Sequence, residues 1–359
     1  MSADVLIVSL GTTAGWRNAD PLLAAAIEHA GASVAIAAAG PVPRVRTFAL
    51  TDLVQARATR AAALRGIREH APRALIYSST TAALLAPRPG AIWFDSPALD
   101  NRPGRHGLWQ RLVEPRRMCA APLLLPMSEG SLAPLPAAVR AATPAVLLPV
   151  PVEPSGPSGD AAAGPSGSSA AAGTRDVAAI AYAADPVKKG LDRILAAWRA
   201  ARRDGERLLV AGQDGPLGDG AEGTGLLAPD EYRALLRRAR VFVAAPLRED
   251  HGIAQLEALA DGCRLVTAPA PGAYPALALA RTLDPRYVGD DLAGALRAAL
   301  DDAAASEAAA GPPDTAAAGA ATPGAPDDYA ERAAALLAPY RRASFDAAVA
   351  QRVLPLLLR

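Results

Sequence analysis

The chain has 359 residues, 51% of them hydrophobic, which is enough to build large cores in two domains; with aromatics at only 4%, those cores must be made of Ala, Leu and Val. A net charge of +1 argues against a general nucleic-acid binder, and two cysteines, Cys119 and Cys263, form neither a disulfide framework nor a metal-ligand spacing and are expected as buried thiols in a reducing cytosol. No apolar run approaches the roughly 20 residues needed to span a bilayer, so a cytoplasmic protein is expected, or one held peripherally on the inner face of a membrane.

Short apolar runs at 5–9, 34–38, 74–77, 91–94, 123–127 and 146–150 read as buried parallel strands, the first of them in place of a signal peptide. Helical patterns at 21–30 and 52–70 lie between them, giving a Rossmann-like half over residues 1–153. The loop SLGTTAGW (9–16) lacks the spacing of a dinucleotide fingerprint, which argues against a nicotinamide cofactor, but Gly15 would allow a phosphate close to the backbone. Asp95, at the end of the fourth run, and His106, in DNRPGRHGLWQRL, are further candidates. Residues 101–117 hold five arginines against Glu114, and Arg57, Arg60, Arg65 and Arg68 add charge to the 52–70 helix. Such faces are usually just solvated, but they also suit an anionic acceptor or peripheral contact with anionic lipid.

From 154 to 174 the chain reads PSGPSGDAAAGPSGSSAAAGT, too poor in apolar bulk to pack, and is expected as a flexible linker. A second α/β domain, 175–326, follows, with strands at 177–181, 208–211, 241–244 and 265–268 and a low-complexity stretch at 303–326. Two closing helices, 327–337 and 344–357, end the chain.

Lys188 and Lys189 are the only lysines among 37 basic residues, and they follow the 177–181 strand at the start of a helix. In an Arg-rich chain, a retained lysine suits phosphate, which it meets as a compact point charge. The segment 241–268, VFVAAPLREDHGIAQLEALADGCRLVTA, runs from a strand through a loop with Arg248, Glu249, Asp250 and His251 into a helix starting at Gly252 and carrying Glu257. Ile253, Leu256 and Ala260 are its expected apolar stripe, with Glu257 on the border, where a carboxylate needs partners. Two carboxylates at the carboxyl edge of a parallel sheet, beside a helix N-terminus with its free N–H groups, suit a nucleotide-sugar.

This segment, from Pro246 through Glu249, Gly252, Leu256, Glu257 and Gly262 to Val266, resembles the Glu-x7-Glu signature of retaining glycosyltransferases of family four. The resemblance implies a GT-B-like α/β fold, with two Rossmann-like domains facing a cleft and the C-terminal helix returning to the first domain. It implies transfer from a nucleoside-diphosphate-sugar, as co-substrate, to an acceptor hydroxyl of a glycan, lipid-linked or small molecule, with retention and without metal or other cofactor. Glu249 would contact the donor sugar, with His106 near it as a second catalytic candidate. Glu257 would bind the ribose hydroxyls, Lys189 the diphosphate, and Gly252, His251 and Gly15 would line the donor. Asp250 and His251 stand where the family has Gly and an aromatic residue, and Ala183 stands near the place of its diphosphate-binding arginine, for which Lys188 or Arg248 would substitute. These departures keep two other readings open: a non-catalytic GT-B paralogue that binds nucleotide or sugar, and a nucleotide-sugar epimerase of the same fold.

Overall fold

The computed structural model describes residues 2–11, 14–43, 45, 47–156, 175–310 and 328–359. Two compact α/β units emerge: Met1–Pro151 together with Pro339–Arg359, and Val152–Ala338. The first is a parallel sheet of β1 (Val5–Ser9), β2 (Val34–Ala38), β3 (Ala74–Tyr77), β4 (Ala91–Phe94) and β5 (Leu124–Pro126), in the order β2-β1-β3-β4-β5. Every residue of β1, β3, β4 and β5 is buried, as continuous apolar strands require when helices cover both faces, whereas edge strand β2 is only partly covered.

The run 146–150 is not a strand. It lies along β5 with Val146 N donating to Leu124 O and Leu148 N to Pro126 O, both at 2.9 Å, but one isolated bridge is all that forms. Pro144, Pro149 and Pro151 lack the N–H groups a longer ladder would need. Gly15 lies in the first turn of the Ala14–His29 helix instead of the loop before it. Cys119 is exposed at the end of the Leu108–Cys119 helix, while Cys263 is buried, its thiol pushed up to about 12 by desolvation.

The second unit holds β6 (Val177–Tyr182), β7 (Leu208–Ala211), β8 (Asp214–Gly218), β9 (Ala221–Thr224), β10 (Ala239–Ala244) and β11 (Arg264–Thr267), in the order β11-β10-β6-β7-β9-β8. All neighbours are parallel except β8 and β9. That hairpin is illegible in DGPLGDGAEGT, whose glycines read as loop; pairing with β7 makes β9 a strand. The stretch 303–326 begins as helix, because Ala303 to Ala310 extend Leu292–Ala310 with the best helix former; residues 311–327 lie outside the described residues. Of the expected linker, only 154–156 are described, and Ser155 is tethered: its N and Oγ donate to Asp261 Oδ1 at 2.7 and 2.9 Å.

Tyr329–Leu336 packs within the second unit against the helices Ile253–Ala260 and Pro275–Leu283. Beyond Ala338 the chain belongs to the first unit, where Arg342–Ala348 continues through a wide turn at Val349–Val353 into Leu354–Leu357. Phe345 meets Trp93 with ring centroids 6.1 Å apart, and Val349, Val353 and Leu354 are buried with it. Among the described residues, no helix is long and apolar enough to cross a membrane.

Candidate active site

Three loops meet at the carboxyl edge of the second sheet. After β6 the chain turns tightly, with Lys189 N donating to Asp185 O at 2.9 Å and Gly190 N to Val187 O at 3.1 Å. Gly190, at φ +66°, precedes the Leu191–Ala201 helix, and a Cβ there would lie 2.0 Å from Ala245 O. Only glycine allows this approach, which, with Leu247 N donating to Lys188 O at 3.0 Å, presses the Lys188–Lys189 turn onto the loop after β10. The loop after β11 closes in from the other side: Glu249 N donates to Pro271 O at 3.0 Å, and a Cβ on Gly272, at φ +111°, would sit 2.2 Å from Glu249 O.

These backbone contacts bring Lys189 and Glu249 together across 60 residues of sequence, Nζ to Oε2 at 2.6 Å. Glu249 is 7% exposed, and a string of polar groups supports its carboxylate. Gln255 Nε2 donates to Glu249 Oε2 at 3.4 Å and to Tyr274 Oη at 3.2 Å, and Tyr274 Oη is 2.7 Å from Thr267 Oγ1. An ionised carboxylate accepts only, so the Gln255 amide must turn its NH2 toward Glu249. Its Oε1 is buried without a hydrogen-bond partner among the described residues, and a pocket with room for about one water lies between Gln255, Lys189, Tyr182 and Pro246.

Gly252 adopts φ +79° immediately before the Ile253–Ala260 helix. A Cβ there would come within 3.0 Å of the Tyr274 ring and 3.3 Å of Gln255 Oε1, so glycine keeps the helix N-terminus beside this string. The expected stripe of Ile253, Leu256 and Ala260 is corrected: Gln255, Leu256, Ala258 and Leu259 are the buried residues, because the helix is hemmed in by β10, β11 and three other helices. His251 is buried, and desolvation lowers it to about 4, leaving it neutral at physiological pH.

Glu257 belongs to a second cluster. Arg233 Nη1 is 3.7 Å from its Oε1, while the Arg233 Nε pairs with Asp261 Oδ2 at 2.6 Å. Burial, resisted by Arg233 and reinforced by Asp261, raises Glu257 to about 7. Arg233 and Asp261 carry no motif that would have marked them in the sequence; neither do Gln255 and Tyr274.

The other candidates make contacts of their own. Arg248 Nη2 is paired with Asp250 Oδ1 at 2.7 Å. Lys188 is exposed, and Ala183 is fully buried with its carbonyl taking Gln213 Nε2 at 2.6 Å. In the first unit, Asp95 Oδ1 accepts from Ser96 N at 2.8 Å, and His106 lies in the Gly104–Gly107 turn, its side chain outside the described residues.

The sequence matches no protein-family model and no curated protein. Solved structures do match. The chain is similar to a sucrose-phosphate synthase from Thermosynechococcus elongatus, at 16% identity and a TM-score of 0.72, covering 99% of each chain. It is also similar to WaaG, a glycosyltransferase involved in lipopolysaccharide biosynthesis, at 14% identity and a TM-score of 0.62 over 96% of this chain and 98% of that one. HepE of Anabaena, in complex with UDP and glucose, gives 12% identity and a TM-score of 0.62 over 98% and 99%. At these identities the likeness is one of fold, and the two-sheet α/β fold is that of the GT-B glycosyltransferases.

Proposed function

We propose that the protein is a glycosyltransferase that moves a sugar from a nucleoside diphosphate to an acceptor hydroxyl with retention of anomeric configuration. The observation that carries this reading is the Lys189–Glu249 pair at the carboxyl edge of the second sheet, beside the Gly252 helix N-terminus. A cation next to free N–H groups suits a diphosphate, and a carboxylate held against it suits sugar hydroxyls. Two fold relatives support it: HepE was solved with UDP and glucose, and a trehalose-6-phosphate synthase was used to study glycosyl transfer with retention.

In this reading the donor diphosphate takes over Lys189, and Glu249, held by Gln255, accepts from a sugar hydroxyl. The bond from the anomeric carbon to the diphosphate breaks as the acceptor oxygen bonds on the same face, and the acceptor proton passes to the leaving phosphate oxygen. Fixed positive charge stabilises the departing diphosphate, so the step needs neither a protein nucleophile nor a metal. Glu257, raised to about 7, is poised to exchange hydrogen bonds with the ribose hydroxyls as donor or acceptor.

A non-catalytic nucleotide-binding reading is favoured by one observation: Arg248, one of the two residues expected to substitute for the missing arginine, is already engaged by Asp250. Incubation with a panel of nucleotide-sugars and acceptors separates the two. Release of nucleoside diphosphate with a product of unchanged anomeric configuration is expected. Binding without turnover of any donor would establish the non-catalytic reading, and interconversion of two donors without acceptor would establish an epimerase.

A further inference from the structure

The Leu108–Cys119 helix of the first unit is amphipathic in an unusual sense: its outward stripe is apolar and basic. Gln110, Glu114 and Met118 face inward, where Glu114 accepts from Ala98 N at 2.8 Å. On the opposite side, one turn apart, Leu108 is 57% and Leu112 65% exposed, with exposed Arg116 and Cys119 completing the stripe and exposed Arg105 just before it. The helix's one acid is Glu114, so the outward stripe carries no carboxylate. Two further leucines of the first unit are about half exposed. Leu99 lies in the neighbouring Ala98–Asn101 turn of helix, and Leu50 follows Ala49, whose carbonyl takes Trp109 Nε1 at 3.2 Å. Of the other arginines expected on this face, Arg102 is neutralised by Asp52, at 2.8 Å. Arg111 and Arg117 donate to carbonyls, at 2.6 Å to Gly104 and 3.0 Å to Leu84, rather than to a carboxylate.

Paired leucines bracketed by arginines, with no compensating acid, match the chemistry of an anionic bilayer surface, which takes apolar side chains into its acyl boundary and cations at its phosphates. We propose that this stripe is a membrane-docking face on which Leu108 and Leu112 enter an anionic leaflet while Arg105 and Arg116 take lipid phosphates. The proposal is independent of the sugar-transfer reading, because it is tested without donor or acceptor.

The test is cosedimentation of the full chain with vesicles of equal parts phosphatidylglycerol and phosphatidylcholine, beside vesicles of phosphatidylcholine alone. Binding to the anionic vesicles is expected, at least tenfold stronger than to the neutral ones and weakened in 1 M salt, where the screening length is about 3 Å. Leu108→Ser with Leu112→Ser should lower it tenfold or more, while Leu226→Ser, which removes an exposed leucine of the second unit, should leave it unchanged. Failure of the wild-type chain to sediment, equal binding to both vesicles, or undiminished binding by the double variant would each overturn the proposal. So would a concentration-dependent dimer, abolished by the double variant in the absence of lipid binding, since the stripe would then join two copies of the chain. A second measurement needs no variant. Exposed Cys119 is selectively labelled with acrylodan, the buried Cys263 thiol being unreactive, and its emission should shift to the blue with anionic vesicles; an unshifted spectrum also overturns the proposal.

Discussion

Lys189 holds a buried carboxylate as well as offering a charge to ligand, so its removal acts twice. Lys189→Ala is expected to abolish detectable binding of nucleoside diphosphate in calorimetric titration. It should also lower stability by about 1–3 kcal/mol, because Glu249 is left buried without the cation that pairs with it. A lysine merely exposed at a helix start would not affect melting. Adding Glu249→Gln to Lys189→Ala should restore the melting temperature but not the binding; if the double variant melts no higher than the single one, the pair is not what stabilises the loops. Gln255 and Tyr274 act through Glu249 as positioning residues. Gln255→Leu and Tyr274→Phe are each expected to lower kcat about tenfold with KM changed less than threefold, and a rise in KM alone would place them in ground-state binding instead. Lys189, Glu249 and Glu257 stand out in the sequence because charge rarity and spacing mark them. Gln255 and Tyr274 do not, since an amide on a helix and a tyrosine 19 residues later become partners only through the Gly272 and Gly252 backbone approaches.

The Leu108–Cys119 helix carries the clearest pH response. Glu114 is buried, and desolvation, opposed by the Ala98 N–H and Thr80, raises it to about 7. Folding therefore takes up a proton between the unfolded value near 4.5 and about 7, and stability falls as pH rises through that window. Glu114→Gln keeps the shape without the charge, so its melting temperature relative to wild type should climb between pH 5 and pH 8, by up to about 3 kcal/mol of stability. A constant difference across that range would mean that Glu114 is ionised throughout. His251 works in the opposite sense: lowered to about 4, it leaves the folded state binding fewer protons below about 6.5, so its contribution is lost as pH falls. At this scale the strands of both sheets are legible as apolar runs, apart from the glycine-rich β8–β9 hairpin and the proline-interrupted segment 146–150.

In the whole chain, the first unit is completed by its last residues. Phe345→Ala should cost about 3–5 kcal/mol by opening a cavity beside Trp93, and should lower the melting of the first unit alone in calorimetry. A uniform loss across both transitions would mean that the two units unfold together. Shortening the segment 157–174 by about ten residues is expected to leave melting and turnover nearly unchanged, because loop-closure costs vary slowly with length. Unfolding on deletion would show that the segment packs.

The α/β class, the order of strands along the chain and the two lysines with their acidic counterparts are written in local pattern: apolar runs of strand length, turn residues between them and the spacing of charges. Which charges meet was decided by tertiary structure. Arg248 turns to Asp250 within one loop and Arg233 reaches Glu257 and Asp261 on the neighbouring helix, while Lys189 meets Glu249 because glycines at 190 and 272 let separate loops approach within distances no side chain would tolerate. The same holds for the outward leucines of the Leu108–Cys119 helix. Its sequence allows more than one face to be buried, and it was the inward anchoring of Glu114 at Ala98 that left Leu108 and Leu112 outside.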